Sequence, residues 1–76
     1  MDDMNVNIQI LENLVRQPDG QLNNLINKMR ATAKNGFYIF IEEEINGENK
    51  LIEKLTNEEE LLGFLIARFR IDGNQV

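Results

Sequence analysis

The sequence contains no cysteine and no histidine. Without cysteine there are no disulfides, no thiolate metal ligands and no thiol nucleophile, so stability rests on apolar packing. Without histidine the commonest general base and the commonest zinc ligand are missing too. Most enzyme classes fall on these two absences, and we expect no catalytic residue, no cofactor and no metal site. The five glycines each stand singly, so no glycine-rich phosphate loop is present. EEEINGENK offers oxygens around a glycine but lacks the alternate-position acids of a calcium loop, so a solvated turn explains it better. No run approaches the roughly 20 continuous apolar residues of a bilayer span. The opening MDDMNVNIQ has neither the basic region nor the apolar core of a secretion signal. The expectation is a soluble, cytoplasmic chain with no membrane partner.

What is present fits one small domain, residues 1–76, with short polar ends at about 1–4 and 72–76. A chain of this length buries only about 60% of the surface that it exposes when unfolded, so a second chain would help to complete its core. The net charge of −5 is unevenly placed. Residues 1–36 hold four acids and four bases, whereas residues 37–76 hold nine acids and four bases and so carry the whole excess.

Val6, Ile10, Leu11, Leu14 and Val15 fan over one side of a helix at about 100° per residue. Val6, Ile8 and Ile10 also alternate as a strand does, but Leu11 breaks the alternation, so the preferred reading is a helix from about Asn5 to Arg16. Pro18, Asp19 and Gly20 should stop it. Leu22, Leu25, Ile26, Met29 and Ala33 have the cleanest helical period in the chain, and this second helix should close at Asn35-Gly36. FYIFI, residues 37–41, is aromatic, β-branched and apolar at every position, which reads as a strand covered on both faces. Asn46-Gly47 signals a type I′ hairpin, setting Glu43 opposite Lys50 and Ile41 opposite Ile52, although the same register puts Ile39 against Lys54, which leaves a longer loop as the alternative. Thr56-Asn57-Glu58-Glu59 has the form of a capping box, with Glu59 reaching back. A third helix follows, from about Asn57 to Arg70, burying Leu61, Leu62, Leu65, Ile66 and Phe69 and ending by Asp72-Gly73. The fold class is therefore a small single α+β domain, helix-helix-β-hairpin-helix (ααββα).

Two surfaces remain after this elimination. Glu42, Glu43, Glu44 and Glu48 cluster near the hairpin tip. Charges there keep a strand edge soluble. They would also steer the chain to a protein partner with a basic surface, in competition with an anionic ligand such as nucleic acid. Asn23, Asn27, Arg30 and Lys34 fall on one flank of the second helix, where asparagine and arginine can read adenine and guanine in a major groove. An acidic chain is a poor DNA binder, and an ordinary solvated helix face would look the same. Finally, Phe37, Ile39 and Ile41 face one way in the strand while Tyr38 and Phe40 face the other. If three short helices leave one face bare, a homodimer would seal it.

In size and composition the chain resembles the small accessory proteins of phages and mobile elements, some of which present acidic surface to nucleic-acid-handling proteins. The leading expectation is a non-enzymatic protein-binding regulator or inhibitor that uses the acidic hairpin. The alternatives are a homodimeric DNA-binding regulator that uses the second helix, and a structural or assembly subunit.

Overall fold

The computed structural model describes residues 2–17 and 20–71. It is an α+β domain in the order β1 (Met4–Asn7), α1 (Ile8–Arg16), α2 (Gly20–Lys34), β2 (Ile39–Ile45), β3 (Glu48–Leu55) and α3 (Glu58–Phe69). The helix-helix-strand-strand-helix order read from the sequence holds, with one short strand added in front. The sheet is mixed, ordered β1-β2-β3, with β1 parallel and β3 antiparallel to the central β2.

The first helix starts three residues later than expected. Asn7, in extended conformation, is its N-cap, and its side-chain oxygen accepts from the backbone N–H groups of Gln9 at 2.7 Å and Ile10 at 3.4 Å. That cap frees Met4–Asn7 to pair with β2, so position 4, expected in a polar end, opens a strand instead. Asp3 and Tyr38 fasten this junction: the Tyr38 N–H donates to Asp3 Oδ1 at 2.8 Å and the Met4 N–H to the Tyr38 carbonyl at 3.0 Å. The expected stripe is corrected as well. Ile8 and Leu11 are the buried residues of α1, whereas Ile10 is 58% exposed. Of the stop signal, Pro18 and Asp19 lie outside the described residues, and Gly20 is the first residue of α2.

The second helix ends as its sequence demands. Gly36 takes φ 83°, its N–H donates to the Ala33 carbonyl and the Phe37 N–H to the Thr32 carbonyl, which together satisfy carbonyls the helix leaves unpaired. Asn46 and Gly47 both have positive φ, 54° and 81°, as a type I′ turn requires. Glu43 does face Lys50, but Ile41 faces Glu53 and Ile39 faces Leu55, because the register shifts between Ile41 and Glu42. Ile52 is the extra residue of this bulge. It brings buried Leu55, rather than Lys54, onto the apolar side of Ile39.

The cap of α3 is displaced by one residue from the expected Thr56. Asn57 is the N-cap and accepts from the Glu60 N–H at 2.8 Å, while Glu60, not Glu59, reaches back to Thr56. Asparagine caps at least as well as threonine, and the later start places Leu61 and Leu65 inward. Ile66, expected in the stripe, is exposed. The helix ends at Phe69, with Arg70 left-handed at φ 57°. The expected stop at Asp72-Gly73 and the polar end 72–76 lie outside the described residues.

All three helices feed one core. Val6, Ile39, Ile41 and Leu55 from the sheet meet Ile8 and Leu11 of α1, Ile26 and Met29 of α2, and Leu61 and Leu65 of α3. At roughly 1.5–3 kcal/mol for each large side chain removed from water, this cluster is the main source of stability. The expectation that the FYIFI strand is covered on both faces is therefore corrected: the helices lie on one side. The reason is visible in β1, whose other face offers Asn5 and Asn7 opposite Phe40 and Glu42, and so gives a helix nothing apolar to pack upon.

Candidate functional site

Side chains alternate along β2, so Phe40, Glu42 and Glu44 share the face that the helices leave open, and Tyr38 continues their line. Their cross-strand partners on β3 are Lys54, Leu51 and Asn49. The Tyr38 and Phe40 rings meet edge to face, with centroids 6.3 Å apart. Lys54 Nζ sits 4.4 Å from the Tyr38 ring centroid, a cation–π contact that holds the lysine flat against the face. Tyr38 is 40% exposed and Leu51 is 56% exposed. On the β1 side, Asn5 Nδ2 donates to Glu42 Oε2 at 2.9 Å and fixes that carboxylate at the rim. The result is an apolar strip of Tyr38, Phe40 and Leu51 with an acidic end made by Glu42 and Glu44.

The four glutamates singled out in the sequence are thus divided. Glu42 and Glu44 join the open face. Glu43, paired with Lys50, and Glu48, paired with Ile45, belong to the side that carries the helices. Tyr38 and Phe40 were legible as sharing the face opposite Ile39 and Ile41, but their union with Glu42, Glu44 and Leu51 was not, because the bulge decides which β3 residues reach that face.

The stripe on α2 is placed differently from its reading as a base-reading surface. Asn23 and Asn27 are exposed. Arg30 Nε, however, is bound to Glu58 Oε2 at 2.9 Å, and Lys34 Nζ lies 3.8 Å from the same oxygen. Both cations face an acid in the first turn of α3, across a separation of 28 residues for the Arg30 hydrogen bond. No local pattern announces a contact of that span. The pair joins α2 to α3.

Other clusters give little chemistry. A cavity of about 350 Å³ between β3 and α3 is lined by Glu53, Lys54, Leu55, Glu60, Phe64 and Ala67, without a nucleophile set beside a base. Among the described residues no three acidic side chains converge on a cation site, and no helix is long and apolar enough to cross a membrane. Glu60 has a distinct environment. The Thr56 backbone N–H and hydroxyl both donate to its Oε1 at 2.8 Å and hold its pKa below the ordinary 4.5. This is a helix-capping arrangement. No protein-family model matches the chain, and neither the curated proteins nor the solved structures compared with it give a match.

Proposed function

We propose that the chain is a non-enzymatic protein-binding regulator or inhibitor, working in the cytoplasm, and that its binding surface is the open face of the sheet. One observation carries the reading: the apolar strip of Tyr38, Phe40 and Leu51 runs into the carboxylates of Glu42 and Glu44 on a face that no described element covers. An apolar strip with charge of a single sign at one end fits a partner that offers an apolar patch beside a basic groove. A groove of that kind is what a nucleic-acid-handling protein uses to hold phosphates, so occupation by this chain would inhibit by competition. The excess negative charge of the hairpin half would speed the encounter, and salt would slow it. The Arg30–Glu58 pair counts against the DNA-binding alternative, since one of its two cations is already engaged at hydrogen-bond distance.

The test compares two double charge reversals in affinity capture at low and high salt. Glu42→Lys with Glu44→Lys alters the open face, whereas Glu43→Lys with Glu48→Lys alters the other side by the same charge. We expect a basic protein to be held by the wild type, released as salt rises, lost with the first pair and kept with the second. Equal loss with both pairs would reduce the face to a general effect of net charge. Retention with the first pair would move the binding surface elsewhere.

A further inference from the structure

We propose that the outer edge of β3 pairs antiparallel with β3 of a second copy of this chain, joining two three-stranded sheets into one continuous sheet. This inference rests on the strand edge and not on the open face, and shares only Leu51 with the surface proposed above. Among the described residues nothing pairs with that edge, and every β3 residue before Leu55 is exposed. Unpaired strand edges are templates for another strand, and Lys residues and a bulge are among the devices that keep them single. The order of residues in β3 favours pairing with itself over guarding.

Two antiparallel copies in one sheet are related by a two-fold axis perpendicular to it, so directly opposed residues must lie on the same face. In a regular strand, alternation would put Lys50 and Glu53 on opposite faces, and they could never be opposed. The bulge at Ile52 changes this. Lys50 and Glu53 stand against Glu43 and Ile41, both on the helix side, while Asn49 and Lys54 stand against Glu44 and Phe40, both on the open side. With the axis between Leu51 and Ile52, Lys50 faces Glu53 of the second copy and Glu53 faces its Lys50. Asn49 faces Lys54 in the same way, and Leu51 and Ile52 flank the axis. Each interface then holds two opposite-charge pairs by symmetry, with no like charges opposed, and it sets the exposed Leu51 and Ile52 beside the axis.

Sedimentation over a concentration series tests the proposal with Lys50→Glu and Glu53→Lys. The wild type should dimerise. Either variant alone opposes like charges at both positions and should raise the dissociation constant by roughly tenfold or more. An equimolar mixture of the two variants restores opposite charges across the axis and should form a heterodimer that neither forms with itself. Circular dichroism of each variant separates a lost interface from a lost fold. A wild type that stays monomeric at every concentration would overturn the proposal, as would a dimer that survives both single changes or a mixture that fails to associate while both variants remain folded.

Discussion

The two faces of one strand have opposite fates in this protein. On the helix side, Ile39 and Ile41 are 0% exposed and belong to the core cluster that residues of all three helices share. One residue away in each direction, Tyr38 and Phe40 meet edge to face, and Lys54 lies over the Tyr38 ring. The sequence FYIFI makes no distinction between them. What differs is the supply of apolar surface: three helices contribute inward stripes to one side, and β1 supplies asparagines to the other. Apolar residues that a small domain does not need for its own core are free to serve as contact surface.

The strongest way to break the comparison is to empty the covered face. Ile41→Ala removes a fully buried side chain beside Val6 and should cost about 2–5 kcal/mol, read as a lowered denaturant midpoint at unchanged slope. In a domain of this size that is a large part of the whole margin. A cost below about 1 kcal/mol would mean that the helices do not hold that face as tightly as the structure shows.

Next in size is the cap that separates β1 from α1. Asn7→Ala removes the acceptor for two backbone N–H groups and should cost about 1 kcal/mol in the same measurement. The same residue shows how much was legible. Met4, Val6 and Ile8 alternate in the sequence, and Asn7 is a preferred cap directly before an apolar helical residue. The strand was still missed, because a four-residue strand gains its stability only from the neighbour it pairs with, and that neighbour lies 35 positions onward in the Met4–Ile39 register. Local signals did place α2, the Asn46-Gly47 turn and α3, since their caps and turns are made by adjacent residues. The bulge at Ile52 and the Arg30–Glu58 pair were invisible for the same reason as β1: each is a tertiary outcome. The candidate surface was therefore half legible, as an aromatic pair on one face of the strand and an acidic cluster that only the fold divides.

A smaller effect, read through pH, tests the exposed cap of α3. Glu60 has a folded pKa below its unfolded value because Thr56 donates two hydrogen bonds to its ionised form. Its contribution is therefore complete above the unfolded value near 4.5 and is lost as pH falls through the lower folded value. Glu60→Gln, which cannot ionise, should remove this one contribution to acid lability, so the stabilities of variant and wild type should converge as pH falls from 4.5 through the lower folded value. Parallel curves from neutral to acid pH would show that the carboxylate's charge plays no part in capping α3.

The smallest expected effect tests the open face itself. Leu51 is 56% exposed and lies opposite Glu42, on the side the helices leave bare. A side chain that stays mostly in water in the folded monomer gains little from folding, and surface changes of this kind usually stay within about 0.5 kcal/mol. Leu51→Ser, melted at low protein concentration to suppress any association, should thus unfold close to the wild-type temperature, in contrast to Ile41→Ala on the opposite face of the same sheet. Serine is a weaker strand former than leucine's apolar neighbours, yet at an edge strand that preference is small beside the loss of a core residue. If Leu51→Ser were as damaging as Ile41→Ala, the open face would belong to the core and not to a partner. A matching melting temperature with weakened binding would assign the leucine to contact, which is the division of labour that the two faces of β2 imply.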